Sequence, residues 1–264
     1  MRVSILTRSI DWASLPARAL RAANQRYFVL TCITSLLAVL PIAILGWDAA
    51  NKSLGPNPLE RLLRAPGRWA LILLLIVLLA TPLRRVLTHV MRKTGIRYGR
   101  RLADWNWMIR LRRPLGLASF FYAVIHVGWY VWLDLRFNWD ELIRDLSNKP
   151  YIVAGMAAFL LLAPLAVTST DGWMRRLKRN WKRLHFLIYP AAILAVLHFV
   201  WLSKEGVRDP YDYALALAVL LGYRIVALWL RLPEIMESPG GEAVDGGVRV
   251  GATERRDSNV GELS

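Results

Sequence analysis

The chain has 264 residues, 55% of them hydrophobic, with 12 Trp and a formal charge of +16. Soluble domains of this size rarely combine a positive mean hydropathy with that charge, whereas a membrane protein with basic loops and interfacial Trp does so naturally. The single cysteine, Cys32, excludes an internal disulfide and any Cys-rich metal or iron–sulfur site.

A helix that crosses a bilayer needs ~20 mostly apolar residues. After a basic segment, residues 1–26, the first such run is Tyr27–Trp47. It carries Pro41 and Cys32, and the cysteine is expected to pack against lipid or another helix. No cleavable leader is expected, because this first apolar run starts late and is of full length. The second run, Trp69–Leu87, is cut short by Pro82 and Arg84, and His89 beyond it is expected among the headgroups. The third is Pro114–Leu135 and the fourth is Tyr151–Thr168, with Pro164 inside it. The fifth is Leu184–Leu202, with Pro190, and the sixth is Tyr211–Leu230. Residues 232–264 are rich in Gly and Glu, poor in large apolar side chains, and read as a disordered tail. Gly240 and Gly241 follow no strand, so they form no phosphate loop. The expected fold class is an all-α membrane protein, a six-helix transmembrane bundle over residues 27–231.

The loops set an orientation. Arg84, Arg85, Arg92, Lys93, Arg97, Arg100, Arg101, Arg110, Arg112 and Arg113 cluster between the second and third runs. Arg175, Arg176, Lys178, Arg179, Lys182 and Arg183 cluster between the fourth and fifth. The loop after the third run carries Asp134, Asp140, Glu141 and Asp145 against fewer basic residues. It is expected to be an ordinary solvated loop, with docking of a partner as the other reading. The positive-inside rule then places both termini and the two basic loops in the cytoplasm. Basic residues in alternate loops, and not on one soluble face, exclude a nucleic-acid role. Trp105, Trp107, Trp129, Trp132, Trp173, Trp181 and Trp201 read as an interfacial belt.

Three histidines fall inside the apolar runs: His126, His185 and His198. An ionisable side chain in hydrocarbon costs several kcal/mol unless it pairs or binds something, so each marks a candidate site. His126 lies 12 residues after Pro114, and His198 lies 14 after Leu184, on runs that cross in the same direction. The two rings therefore share a depth in the outer half, where they can hold one iron of a low-spin b-type haem from both faces. His185 lies thirteen residues earlier than His198, ~20 Å along a straight helix and roughly 140° around it. Stacked redox centres near each leaflet would explain that separation, but an ideal helix cannot turn both rings into one groove. Thirteen residues before His126 stands Arg113 and no histidine, so an inner centre has one evident ligand. Arg112 and Arg113 open the third run at that depth, and guanidinium forks suit haem propionates or a flavin phosphate. Plain anchoring at the membrane surface is the competing reading for each.

These residues also carry a family resemblance. Arg110-Leu-Arg-Arg-Pro-Leu-Gly116 followed by Ala123-Val-Ile-His126 resembles the MsrQ family. So do Leu165-Ala-Val-Thr-Ser-Thr170, Trp181-Lys-Arg-Leu-His185 with Tyr189, and His198-Phe-Val-Trp201. The resemblance covers roughly residues 28–230. It implies a ferric-reductase-like transmembrane fold in the bacterial inner membrane. It implies b-type haem, one or two, at the positions of His126, His185 and His198, with an associated flavin mononucleotide (FMN). It also implies electron delivery from the quinone pool or a cytosolic flavin reductase to a periplasmic molybdopterin subunit, MsrP, which reduces methionine sulfoxide in oxidised proteins. The sequence offers no nucleophile or acid–base pair in a pocket, so the expected role is an electron-transfer subunit. The alternatives are a ferric or quinone reductase on the same haem core, and a transporter or scaffold whose histidines relay protons or join helices.

Overall fold

In the computed structural model the described residues are 15–94, 98–203 and 209–229. They form helices and connecting turns, with no strand among them. The helices are α1 (Leu15–Gln25), α2 (Tyr27–Ala50), α3 (Pro58–Lys93), α4 (Asn106–Trp129), α5 (Trp139–Asn148), α6 (Pro150–Val167), α7 (Asp171–Leu177), α8 (Arg179–Leu184), α9 (Ile188–Leu202) and α10 (Asp209–Trp229). Among the described residues, six segments are long and apolar enough to cross a membrane: α2, α3, Leu102–Asp134 around α4, α6, Arg179–Leu202 through α9, and α10. The chain divides into two units, Met1–Arg224 and Ile225–Ser264, and only the last turn of α10 is described in the second. The tail assigned to 232–264, with Gly240 and Gly241, lies outside the described residues, as do Arg97, Leu230 and most of the basic segment before Leu15. The part of segment 1–26 that is described is helical. Its Asn24 side chain donates to the Asp104 carbonyl and accepts from the Trp107 amide, tying α1 to the start of α4.

Between helices in lipid there is little hydrophobic drive, so packing, small residues and hydrogen bonds hold the bundle. The best-buried cluster joins Leu71, Leu74, Leu75 and Leu78 of α3 to Ala192 and Val196 of α9 and to Leu217 and Leu220 of α10. Ala191 and Ala192 are fully buried, which lets α9 approach its neighbours closely. The most extensive helix pairings are α3 with α4 and α6 with α9. Cys32 is exposed on α2.

Prolines in these helices each remove an N–H and free the carbonyl four residues back. Neighbouring side chains answer for two of them. Pro82 frees the Leu78 carbonyl, and Arg224 of α10 donates to it at 3.2 Å. Pro114 frees the Arg110 carbonyl, and the Tyr27 hydroxyl donates to it at 3.3 Å. Next to Pro41 the repair is an insertion. The buried Tyr122 hydroxyl donates to Ala38 O at 2.6 Å and accepts from Ile42 N at 3.2 Å, standing where a direct turn of the ladder would close.

Two runs differ in extent from the helices that carry them. The second, Trp69–Leu87, belongs to a helix of 36 residues, ~54 Å long, which continues through Pro82 and Arg84 with Pro82 buried and its orphan carbonyl satisfied. The helix of the fifth run does not begin at Leu184. Lys178, at φ +45°, breaks α7 from α8, and His185–Leu187 is a 3-10 turn before α9. Pro190 lies in the first turn of α9, where its missing N–H leaves no bond unmade.

Candidate functional site

The helices α3, α4, α6 and α9 surround a cavity of 420 Å³, within the ordinary range for ligand pockets. His126 of α4 and His198 of α9 both line it. Their ring centres are 6.1 Å apart, with the planes inclined at 70°. The fold brings these two rings together across the cavity.

Each ring is held from behind in the same way. His126 Nδ1 lies 2.7 Å from the Leu63 carbonyl of α3, and His198 Nδ1 lies 2.6 Å from the Tyr151 carbonyl of α6. A carbonyl oxygen only accepts, so Nδ1 carries a proton in both rings, and in the neutral imidazole Nε2 then keeps its lone pair. That is the tautomer a metal-ligating histidine needs, with the second nitrogen bound to a fixed acceptor. The rings also sit over glycines. A Cβ on Gly67 would come within 3.0 Å of His126 Cε1, and one on Gly155 within 2.6 Å of His198 Nδ1. Neither glycine stood out in the sequence, since an isolated Gly in an apolar run carries no signal of what faces it.

One end of this apolar cavity is polar. Tyr130 donates to Asp145 at 2.7 Å, and Lys149 pairs with the same carboxylate at 2.7 Å. Asp145 is buried, so the expectation of an ordinary solvated loop fails at this position. The reason is the amphipathic α5, which turns Asp145 inward while Trp139 and Ile143 stay exposed. The Lys149 ammonium, and after it the Tyr130 hydroxyl, hold the Asp145 carboxyl below the usual carboxylate range, and the pairing raises Lys149 in turn.

His185 is elsewhere. It does not line the cavity, its Nδ1 lies 3.0 Å from the Trp181 carbonyl, and its ring stacks on the Trp181 indole at 3.9 Å between centres. Trp181 therefore packs against His185, and its indole N–H donates to Thr168 O. The two predicted arginines separate. Arg113 is exposed and paired with Asp171 at 2.6 Å. Arg112 turns inward, donates to Thr81 Oγ1 at 3.3 Å, and has His185, Tyr189 and Arg224 as its titratable neighbours. Arg224 donates to the Tyr189 hydroxyl and lies over that ring. Both Arg112 and Arg224 keep a buried Nε–H with no acceptor. Among the described residues no carboxylate is placed against either guanidinium, and guanidinium groups are suited to anions. The sequence held one clue to Arg224, a cation within the sixth apolar run. His89 is exposed near the end of α3.

Residues 66–196 match the family model described as "Ferric reductase like transmembrane component". The chain is 48% identical over 218 residues to a protein-methionine-sulfoxide reductase heme-binding subunit MsrQ from Xanthomonas campestris pv. campestris (strain B100), covering 80% of this chain and 91% of that one. The chain belongs to the MsrQ family. A second MsrQ, from Xanthomonas axonopodis pv. citri, is 47% identical over 201 residues, 74% of this chain and 84% of its own. A more distant MsrQ, from Herminiimonas arsenicoxydans, is 39% identical over 206 residues, 76% and 87% of the two chains. MsrQ membership and the six apolar spans together make this a multi-pass membrane protein with a ferric-reductase-like transmembrane domain.

Proposed function

We propose that this chain is a b-type cytochrome subunit of the bacterial inner membrane. It carries electrons from the quinone pool or a cytosolic flavin reductase to a periplasmic methionine sulfoxide reductase subunit of the molybdopterin MsrP type. The observation that carries this reading is the spacing of the two cavity histidines. A ring nitrogen binds a first-row metal at about 2.0–2.1 Å and lies about 1.2 Å from its own ring centre, so two imidazoles on opposite sides of one iron have centres roughly 6–6.5 Å apart. The observed 6.1 Å is in the range that two imidazoles holding one iron would need. The carbonyls of Leu63 and Tyr151 hold the Nδ1 edge of each ring, which leaves Nε2 as the atom free to bind a metal, and α3 and α6 supply apolar walls. Haem b, when bound, supplies a reversible one-electron centre.

The second site is read as the seat of the FMN phosphate. Arg112 and Arg224 offer free Nε–H donors there, and His185 with Trp181 offers an aromatic face. A second haem is disfavoured, because His185 faces no second imidazole among the described residues. Arg113, tied to Asp171, serves as an anchor at the surface. Positive-inside topology puts this site, segment 1–26 and the tail 232–264 on the cytoplasmic side, and the paired histidines toward the periplasm. Sulfoxide reduction itself belongs to the partner chain.

An absorption spectrum of the purified protein tests the first claim: a Soret band and a reduced α band of b type are expected, and His198→Ala should remove most of both. Their absence from the wild type, or full haem in the variant, would contradict the reading. Electron transfer to purified MsrP tests the second. Fast reduction of ferric chelates with none of MsrP would favour a ferric reductase.

A further inference from the structure

We infer that Gly67 and Gly155 are positioning residues for the two imidazoles, one notch on each facing helix; the inference rests on the haem reading above. The two histidine sites repeat one device. His126 takes the carbonyl of Leu63 and lies over Gly67, four residues on. His198 takes the carbonyl of Tyr151 and lies over Gly155, also four residues on. The helix pairs α3–α4 and α6–α9 thus carry the same arrangement, although their sequences show no recognisable repeat.

The spacing has a geometric cause. In an α-helix the carbonyl of one residue points along the axis at the amide of the fourth residue after it. A ring that reaches this oxygen from a neighbouring helix must lie across the backbone of that fourth residue. A side chain there crowds the ring, so glycine leaves it the most room. The demand is local: Gly46, Gly116, Gly128 and Gly222 meet nothing within 4 Å of an added Cβ. Glycine weakens a helix interior relative to alanine, so two such positions beneath the two cavity histidines call for a reason, and close approach of the rings supplies it.

The contacts rank the two notches. At Gly155 an added Cβ would stand 2.6 Å from His198 Nδ1, 2.9 Å from Cε1 and 3.0 Å from Cγ. The ring cannot keep its bond to Tyr151 against that contact, and must rotate or withdraw. At Gly67 the distances are 3.0–3.2 Å, which a small shift of His126 relieves. Rotation of either ring re-aims Nε2 and takes Nδ1 away from its carbonyl partner.

The test uses the full chain purified with haem supplied during expression, as wild type, Gly155→Ala, Gly67→Ala and Gly116→Ala. Haem content, the ratio of low-spin to high-spin signal per bound haem, and haem affinity are measured for each. Gly116→Ala should match the wild type. Gly155→Ala should lose about 10-fold or more in haem affinity, the scale seen when an outer partner of a ligating histidine is removed, with a high-spin fraction in what remains. Gly67→Ala should shift in the same direction by less. If Gly155→Ala is not recovered as a folded protein, the spin-state ratio of Gly67→Ala decides. Wild-type occupancy and spin state in both notch variants would overturn the inference while leaving the haem reading intact. A wild type that binds no haem would sink that reading first, and this inference with it.

Discussion

The two ends of this bundle treat their histidines differently. At one end two imidazoles meet across an apolar cavity, each proton-locked by a backbone carbonyl and seated over a glycine. At the other a single imidazole packs against an indole near two arginines whose buried Nε–H groups have no acceptor among the described residues. On the function proposed above, the first end would take a metal and the second an anion.

The largest expected effect tests that contrast directly. His126→Ala should abolish the low-spin spectrum as fully as His198→Ala, whereas His185→Ala should leave the cavity haem near wild-type intensity. Equal loss in all three, read in absorption spectra at matched protein concentration, would erase the distinction. Next comes Arg224→Gln. A hydrogen bond to a charged group is worth about 1.5–3 kcal/mol, so retained flavin should fall roughly 10-fold or more while the Soret band stays unchanged. Quantifying flavin and haem in one preparation shows whether the two sites are separable. Arg113→Gln should change retained flavin little, because the arginine is exposed and its ion pair with Asp171 is of the surface kind.

The smallest effect concerns the polar end of the cavity. Asp145→Asn should lower the melting temperature by a few degrees, since the buried acceptor of Tyr130 and Lys149 loses its charge. The pH dependence follows from the directions of the shifts. The depressed Asp145 carboxyl contributes stability above the ordinary carboxylate range and loses it as pH falls through its lowered value. The raised Lys149 contributes below the ordinary lysine range and loses it as pH rises through its raised value. The difference in melting temperature between wild type and variant should therefore be flat between about pH 5 and 9 and shrink outside that window. A difference that grows in acid would show that the carboxylate is not the stabilising form.

Legibility in the sequence followed the physics of each feature. The six spans were readable because the bilayer imposes a length and a polarity on every crossing segment, whatever packs beside it. The shared depth of His126 and His198 followed from counting residues along two runs that cross in the same direction. The mismatch at His185 was also visible as an azimuth, and the structure resolves it with a 3-10 turn and a separate site instead of a bent α-helix. Arg224 stood in an apolar run, but its partners Tyr189 and Leu78 come from two other helices and from the carbonyl that Pro82 leaves free. Asp145 looked like one acid among several, and only the amphipathic turn of α5 separates it from Asp140 and Glu141.

By itself, then, the sequence determined how many times the chain crosses, which crossings carry ionisable groups, and at what depth. Those properties depend on each helix and its solvent. Tertiary structure decided which faces meet: Gly67 under His126, Gly155 under His198, Arg112 beside Arg224. The rotation of one helix against the next is set by side chains on both, and a single run of apolar residues looks much the same from every side.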